Sequence, residues 1–246
     1  MGGIALGLMG LFVLVLLVIA GKEWLAIGRL KTIDGLRKDA EGAIATGDLK
    51  AARAVSGRLM ALYANRPDLQ AARAAVMARS EDSFDADAVL GEVETQMLAP
   101  LDALARAEVE AAARQVATVT AIVPLALADL AAALTSNLRM IRRVAEIYGG
   151  RSGTLGSWRL TKAVLTHLVA TGAVAVGEDL IGTIAGGGVL SKLSRRFGEG
   201  IINGALTARV GVAAMEVCRP LPYGTQDKPS VTGLVRRALT GLFPSG

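Results

Sequence analysis

The chain has 246 residues, of which 52% are hydrophobic, 20% charged and 4% aromatic, with a mean hydropathy of +0.45 and a net charge of +5. This much apolar surface excludes a disordered chain and is unusual for a fully water-soluble globule. A basic chain with few aromatic residues favours anionic lipid headgroups over nucleic acid as a partner. The single cysteine, Cys218, excludes an internal disulfide.

An uncharged segment opens the chain, from Gly2 to Gly21. Twenty residues at helical rise cover about 30 Å, enough to cross a bilayer core. A cleaved signal peptide is the main alternative, but no Lys or Arg provides the charged start of such a signal. Basic residues follow directly, beginning with Lys22 and Arg29, so the flank after the segment is predicted to be cytoplasmic. The sequence therefore predicts a transmembrane anchor over 1–21.

A helical arm is predicted over 22–97. Gly47 and Asp48 resemble a helix break followed by an N-cap, and Pro67 suits the first position of a further helix. Between these points one apolar stripe recurs at three- and four-residue steps, formed by Leu49, Ala52, Val55, Leu59 and Leu62. A single helical hairpin of this kind does not support a solenoid. We expect a spacer that packs on its own neighbours rather than a protein-docking surface.

A second apolar stretch covers 115–134 and is long enough to span a membrane, although it contains Asp129. Segment 22–114 has 13 basic and 15 acidic residues, whereas segment 135–246 has 14 basic and 6 acidic residues. A crossing at this stretch would place the basic half outside, against the positive-inside rule. The charge pattern therefore favours a helix that is buried in protein, or one that enters the membrane and returns.

A third apolar region, 163–190, contains His167, Glu178 and Asp179. Together with Asp129, these ionisable groups within apolar helices raise the alternative of an oligomeric transport or pore component. The simpler alternative is a satisfied polar contact inside a helix bundle. Gly200 and Gly204 are spaced for close helix packing, inside the chain or across a homo-oligomer interface.

The motifs that carry common chemistries do not occur in the sequence. There is no GxxxxGK[ST] phosphate loop, and one His with one Cys is too few for a zinc site of those ligands. Cys218 and His167 could form a nucleophile and base, but a buried structural thiol before Pro220 is the better interpretation. We therefore expect no enzyme activity, no cofactor and no metal.

Basic residues and one loop of the second half are candidates for partner docking or lipid contact. The loop YGGRSG follows a helix, where Gly149 or Gly150 could form a C-terminal cap or a docking turn. Further along, Arg209 and Arg219 are expected to add to a basic surface. The complete set of candidates is Arg139, Arg142, Arg143, Tyr148, Gly149, Gly150, Arg151, Arg195 and Arg196.

Four ordered motifs resemble a known family: IRRVAEIYGGRSGTLGSWRL, VGEDLI, AGGGVLSKLSRRFGEGIINGALTAR and VCRPLPY. They are similar to the conserved C-terminal domain of the YcjF-like bacterial inner-membrane proteins, and the resemblance covers roughly 98–223. Members usually begin with a cytoplasmic stretch and a pair of spanning helices, whereas one spanning helix begins this chain. The resemblance implies the bacterial inner membrane, a P-loop GTPase partner and a link to envelope stress. It implies no catalytic residues.

Taken together, these observations predict an all-α chain with a Gly/Ala-rich helical domain held at the membrane. The predicted divisions are the anchor (1–21), the cytoplasmic helical arm (22–97), the membrane-associated domain (98–223) and a C-terminal tail (224–246). The predicted function is a non-enzymatic scaffold that docks a P-loop GTPase, with the transport or pore component as the alternative.

Overall fold

The computed structural model of the chain describes residues 32–80, 83–122, 126–149, 154–170 and 195–240. The elements over these ranges are helices, which confirms the predicted all-α fold class. They are α1 (32–46), α2 (Leu49–Leu62), a 3-10 turn (Pro67–Leu69), α3 (Gln70–Ser80), α4 (Ala86–Val93), a π-helical turn (Glu94–Leu98), α5 (Ala99–Ile122), α6 (Ala126–Ile147), α7 (Thr154–Ala170), α8 (Arg195–Cys218) and α9 (Val231–Leu239). The predicted anchor over 1–21 lies outside the described residues.

The start of α2 follows the local signals in the sequence. Gly47 adopts a left-handed φ of 64°, and the Asp48 side chain accepts a hydrogen bond from the Ala51 N–H. An N-cap of this kind satisfies a backbone donor that the first helical turn leaves free. Pro67 occupies the first position of the 3-10 turn, where its missing N–H costs nothing. These predictions for the arm are confirmed.

The apolar stretch 115–134 is divided between two helices. α5 ends at Ile122 and α6 begins at Ala126, and at the far end of the pair the Tyr148 hydroxyl donates to Asp102. Because the end of α6 meets the beginning of α5, the two helices are antiparallel. The stretch is therefore shared by two antiparallel helices, and its relation to a membrane stays a prediction.

Glycines bring α8 into close contact with α5. A Cβ atom at Gly200 would lie 2.5 Å from the backbone O of Ala117, and one at Gly211 would lie 2.4 Å from Val109 Cγ1. Such distances leave no room for a side chain, so the two backbones approach as closely as glycine permits. The predicted close packing at Gly200 and Gly204 is therefore a contact within one chain. A homo-oligomer stays a prediction.

In the part of the chain that the structure describes, one helix is long and apolar enough to cross a membrane, over Gly198–Cys218. Its mean hydropathy is 1.3, and 72% of its most apolar 18-residue window is buried inside the protein. The central helix of a helix bundle is also long and apolar enough to pass this test. The burial and the glycine contacts with α5 make α8 such a central helix.

One hydrophobic core joins the arm to the rest of the described chain. The same cluster of buried residues contains Leu36 of α1, Leu59 of α2, Val109 of α5 and Leu234 of α9. The boundaries predicted at 97 and 223 therefore do not separate cores. Residues 231–239, predicted as part of a tail, form a helix with one face in the core.

Candidate functional site: a buried arginine cluster and a basic helix face

Arg219 follows the last residue of α8, and its side chain has no exposure to solvent. Its Nη2 lies 2.9 Å from Glu94 Oε1 and 3.0 Å from Asp102 Oδ2, while Nε lies 3.1 Å from Asp102 Oδ1. Nη1 donates to the backbone carbonyls of Leu221 and Pro222 at 2.9 and 2.7 Å. A guanidinium has five N–H donors. These partners satisfy all five, so the buried charge is fully paired.

The two carboxylates have further donors of their own. Glu94 Oε1 accepts from the Gly224 N–H at 3.2 Å, and Oε2 accepts from the Thr225 N–H at 2.7 Å. Asp102 Oδ1 accepts from the Tyr148 hydroxyl at 2.5 Å. These donors offset the excess of two negative groups over one positive group. We call Arg219, Glu94, Asp102 and Tyr148 the Arg219 cluster.

The cluster connects distant parts of the described chain. Glu94 lies in the π-helical turn, Asp102 in the first turn of α5 and Tyr148 at the end of α6. The Tyr63 hydroxyl, directly after α2, donates to the backbone carbonyl of Tyr148 at 3.1 Å. The cluster therefore fixes the C-terminal end of α6 against α2, α5 and the segment after α8.

Burial and charge keep Arg219, Tyr148 and the neighbouring Tyr223 in one protonation state near neutral pH. Burial alone would lower the pKa of Arg219, but the hydrogen bond and charge of Asp102 outweigh it and hold that pKa above its ordinary value. Burial, with the nearby charge of Asp102, raises the pKa of Tyr148 above its ordinary range. Burial also raises the pKa of Tyr223 to about 12; this ring lies 4.0 Å from the Arg219 guanidinium. None of these three groups exchanges a proton near pH 7, which is the behaviour of a structural cluster.

A second, partly buried pair joins α7 to α8. His167 Nε2 lies 2.5 Å from Glu216 Oε2, and Lys228 forms an ion pair with the same carboxylate. The Arg37 guanidinium donates to the backbone carbonyl of Glu216. Burial first, and then the positive charges of Arg37 and Lys228, hold the pKa of His167 below its ordinary value. His167 therefore has a polar partner inside the bundle.

The outward side of α6 presents three arginines, Arg139, Arg142 and Arg143, which we call the basic face. Arg142 Nε lies 3.0 Å from Glu146 Oε1, and Arg143 Nη1 lies 3.7 Å from Glu146 Oε2. The first of these is the expected helical pair at four-residue spacing. One carboxylate against three guanidinium groups leaves the face positive.

Comparison with known proteins gives a family and close relatives. A model described as "Domain of unknown function (DUF697)" matches residues 84–244. The chain belongs to the DUF697 family. It is 43% identical over 231 residues to a UPF0283 membrane protein of Mesorhizobium japonicum, covering 94% of this chain and 64% of the relative. A UPF0283 membrane protein of Rhizobium meliloti is 42% identical, with 92% and 63% covered, and one of Rhizobium etli is 40% identical, with 100% and 68% covered.

The DUF697 chain therefore spans slightly less than two thirds of the first two of these relatives. Their names support the coarse prediction of a membrane protein from an uncharacterised family. No solved structure is similar enough to match. The family match begins before residue 98 and continues past residue 223, so it includes α4 and α9 with the predicted conserved domain.

The structure divides the predicted docking residues of the DUF697 chain between surface and core. The basic face is exposed, whereas Tyr148 is fully buried and its hydroxyl is used by Asp102. A buried tyrosine offers no side chain to a partner. The prediction that Tyr148 contacts a partner or lipid is therefore wrong, and Tyr148 is a core residue. Gly149 adopts a φ of 88° and its N–H reaches the Glu146 carbonyl, which confirms a helix cap there.

The remaining predicted residues are either buried or lie wholly or partly outside the described part of the chain. Arg209 and Arg219, expected on a basic surface, are buried, and that expectation is corrected because both are on the inward side of the bundle. Gly150, Arg151, Glu178 and Asp179 lie outside the described residues. Asp129 belongs to α6, and Arg195 and Arg196 begin α8, but their side chains lie outside the described part. The pore alternative stays a prediction.

Sequence reasoning missed Glu94, Asp102 and Arg219 as a unit. A usable signal existed, because Asp102 lies on the apolar stripe that Ala105 and Val109 continue along α5. A carboxylate on a buried stripe requires a partner. What the sequence did not reveal is the identity of that partner, which is 117 residues away in the chain.

The cavity beside the Arg219 cluster has few free polar groups for a small ligand. This cavity of about 330 Å³ is bordered by Glu94, Leu90 and Pro222, but both oxygens of Glu94 already accept hydrogen bonds from Arg219, Gly224 and Thr225. Over the described ranges, no group of three His, Cys, Asp or Glu residues could hold a metal ion. Cys218 is buried. The arrangement is suited to holding helices in place and presenting a charged surface.

Proposed function

We propose that this DUF697 protein is a non-enzymatic scaffold at the cytoplasmic face of the bacterial inner membrane. On this proposal it docks a P-loop GTPase that acts in envelope stress. Membrane association is supported by the names of the UPF0283 relatives. The inner membrane, the GTPase and envelope stress come from the resemblance to the YcjF-like proteins and belong to the proposal alone.

The observation that carries the proposal is the rigid presentation of the basic face. Behind it, Met140, Ile141 and Val144 are buried in the core, so the helix cannot rotate without exposing them. At the end of the helix, the Arg219 cluster fixes Tyr148. A positive surface held in one orientation steers and orients a partner with an acidic patch.

The internal polar contacts favour a structural role over a catalytic one. Arg219 uses all its donors on protein acceptors, and His167 faces Glu216. A catalytic acid, base or oxyanion donor needs a donor or acceptor atom that is free to bind the substrate. Groups that are already paired within the fold hold helices together instead.

Binding of the full-length detergent-solubilised chain to a P-loop GTPase from the same bacterium tests the proposal. The GTPase is loaded with GDP or with a non-hydrolysable GTP analogue, and Kd is measured by interferometry. The double variant Arg139→Glu/Arg143→Glu replaces two positive charges on the docking surface with negative ones. We expect it to weaken binding at least about tenfold, because like charges then face the partner.

The matched control is Lys38→Glu/Lys50→Glu, which makes the same change in total charge at exposed positions of α1 and α2. We expect its Kd to stay within about twofold of the wild type. Equal weakening by both double variants would indicate non-specific charge attraction. Absence of binding in both nucleotide states would remove the GTPase as the partner.

A further inference from the structure

A single apolar stripe runs along α6. At about 100° per residue, Leu130, Leu134 and Leu138 occupy a sector of the helix surface about 80° wide. Ile141 and Ala145 continue in the same sector toward the C-terminal end. By its sequence the helix therefore has one face to bury along its whole length.

The structure covers only half of this stripe. Ile141 is 3% exposed and Ala145 is 2% exposed, because the C-terminal half of α6 faces the core. In the N-terminal half, Leu130 and Leu134 are each 56% exposed and Leu138 is 48% exposed. Three leucines on the face that the rest of the helix buries form a contiguous apolar surface rather than scattered exposed residues.

A neighbouring helix adds a second wall. Asn137 Nδ2 lies 3.4 Å from Thr207 Oγ1, which places this half of α6 beside α8. On α8, Ile202 and Leu206 are 44% and 48% exposed, on the side turned away from Gly204 and its contact with α5. The exposed residues of both helices therefore flank one line of contact. We call Leu130, Leu134, Leu138, Ile202 and Leu206 the α6–α8 groove.

The uncharged leucine side of the groove fits a lipid surface. Residues 130–138 contain no charged side chain. On α8 the exposed Glu199 lies about 60° round the helix from Ile202 and about 20° from Leu206, at the N-terminal end of that wall. Arg142 lies four residues after Leu138, which places it about 40° round the helix at the edge of the stripe. An apolar face bordered by arginine is typical of a helix that lies in a membrane interface, since the guanidinium can extend to the headgroups.

We infer that the α6–α8 groove inserts into the apolar layer of an anionic bilayer surface, with Arg142 at the headgroups. This contact is separate from the predicted anchor, and it leaves Arg139 and Arg143 turned away from the lipid. The inference rests on the membrane-held part of the proposed function and does not require a GTPase. It gives the folded domain an orientation relative to the bilayer, which one anchoring helix cannot supply.

Spin labels on the full-length chain test the inference. In a Cys218→Ala background, Leu134→Cys and Ile202→Cys are labelled with a nitroxide and reconstituted into phosphatidylcholine–phosphatidylglycerol vesicles. Collision rates are measured with oxygen, which concentrates in lipid, and with a nickel chelate, which stays in water. We expect the oxygen-to-nickel ratio at both positions to exceed that of the controls by at least about threefold.

The controls are Thr135→Cys, an exposed neighbour about 100° round the same helix, and Ile44→Cys, an exposed apolar residue of α1. Leu130→Cys and Leu206→Cys replace any groove variant that loses the wild-type circular dichroism spectrum. Groove labels that collide with nickel as often as the controls would overturn the inference. So would labels shielded from both reagents, because another part of the chain or a second copy would then fill the groove.

Flotation of each variant with the vesicles separates this inference from the proposed function. A chain that floats while its groove labels remain in water keeps its membrane anchor and loses only the groove contact. Dipolar broadening between labels at Leu134→Cys on different copies would identify a second copy as the occupant, and would also overturn the inference.

Discussion

The two halves of α6 share one sequence pattern and have opposite surroundings. In the C-terminal half, Ile141 and Ala145 lie in the core, and Arg142 and Arg143 are exposed. In the N-terminal half, Leu130 and Leu134 continue the same stripe but remain exposed. Helical periodicity shows that a face will be covered, but it does not show whether protein or another phase covers it.

Two arginines of the protein also differ in their surroundings. Arg142 is exposed and pairs with a neighbour on its own helix, whereas Arg219 is buried among carboxylates from distant segments. An exposed pair of this kind contributes little to stability, because water screens it. Loss of one partner from a buried pair leaves an uncompensated charge in the interior.

The largest effect is expected from Arg219→Met, which leaves Glu94 and Asp102 buried without their common partner. We expect a loss of about 3–5 kcal/mol in the free energy of unfolding. The measurement is denaturant unfolding of the full chain in detergent, followed by circular dichroism. Arg142→Met is the control and should change stability by less than about 0.5 kcal/mol. Similar losses in the two variants would contradict a structural role for the buried cluster.

The second prediction compares the two halves of α6 directly. Ile141→Ala removes a side chain from the core and should cost about 2–5 kcal/mol, because a cavity remains. Leu134→Ala removes an exposed side chain and should change the unfolding free energy by less than about 0.5 kcal/mol. Both are measured by unfolding in the same detergent. A cost at Leu134 equal to that at Ile141 would mean that protein covers the groove.

The third prediction concerns how closely α8 packs against α5 near the groove. Gly200→Ala would place a Cβ atom 2.5 Å from the Ala117 backbone O, which cannot move away as a side chain does. We expect a loss of about 1–3 kcal/mol. Gly198→Ala is the control in the same helix, since no atom lies within 4 Å of its Cβ position, and it should gain up to about 1 kcal/mol. A neutral Gly200→Ala would indicate loose packing near the groove.

The smallest effect concerns pH. The folded pKa of His167 lies below its ordinary value of 6.5, so the unfolded chain takes up a proton first as pH falls. Stability should therefore decrease as pH falls below about 6.5 toward the folded pKa. His167→Gln should flatten this part of the profile between pH 7.5 and 5.5, measured by thermal unfolding. A wild type that gains stability over the same fall in pH would show that Glu216 outweighs Arg37 and Lys228.

The fold was largely predictable where signals are local. Asp48 and Gly47 mark the start of α2, Pro67 marks the next turn, and Gly149 marks the end of α6, because each satisfies or frees backbone groups within its own turn. Of the Arg219 cluster, the sequence indicates only that Asp102, on the apolar stripe of α5, needs a partner. The partners themselves were not predictable, because members of the cluster are separated by up to 125 residues in the chain.

The sequence alone determined an all-α chain, the caps of its helices and the presence of a stripe along α6, since these depend on propensity and spacing within a few residues. Only the tertiary structure decided that Arg219 is buried while Arg142 is exposed, and that the stripe on α6 is covered at one end and open at the other. Burial depends on which distant segments meet a helix, and neither periodicity nor composition specifies those segments.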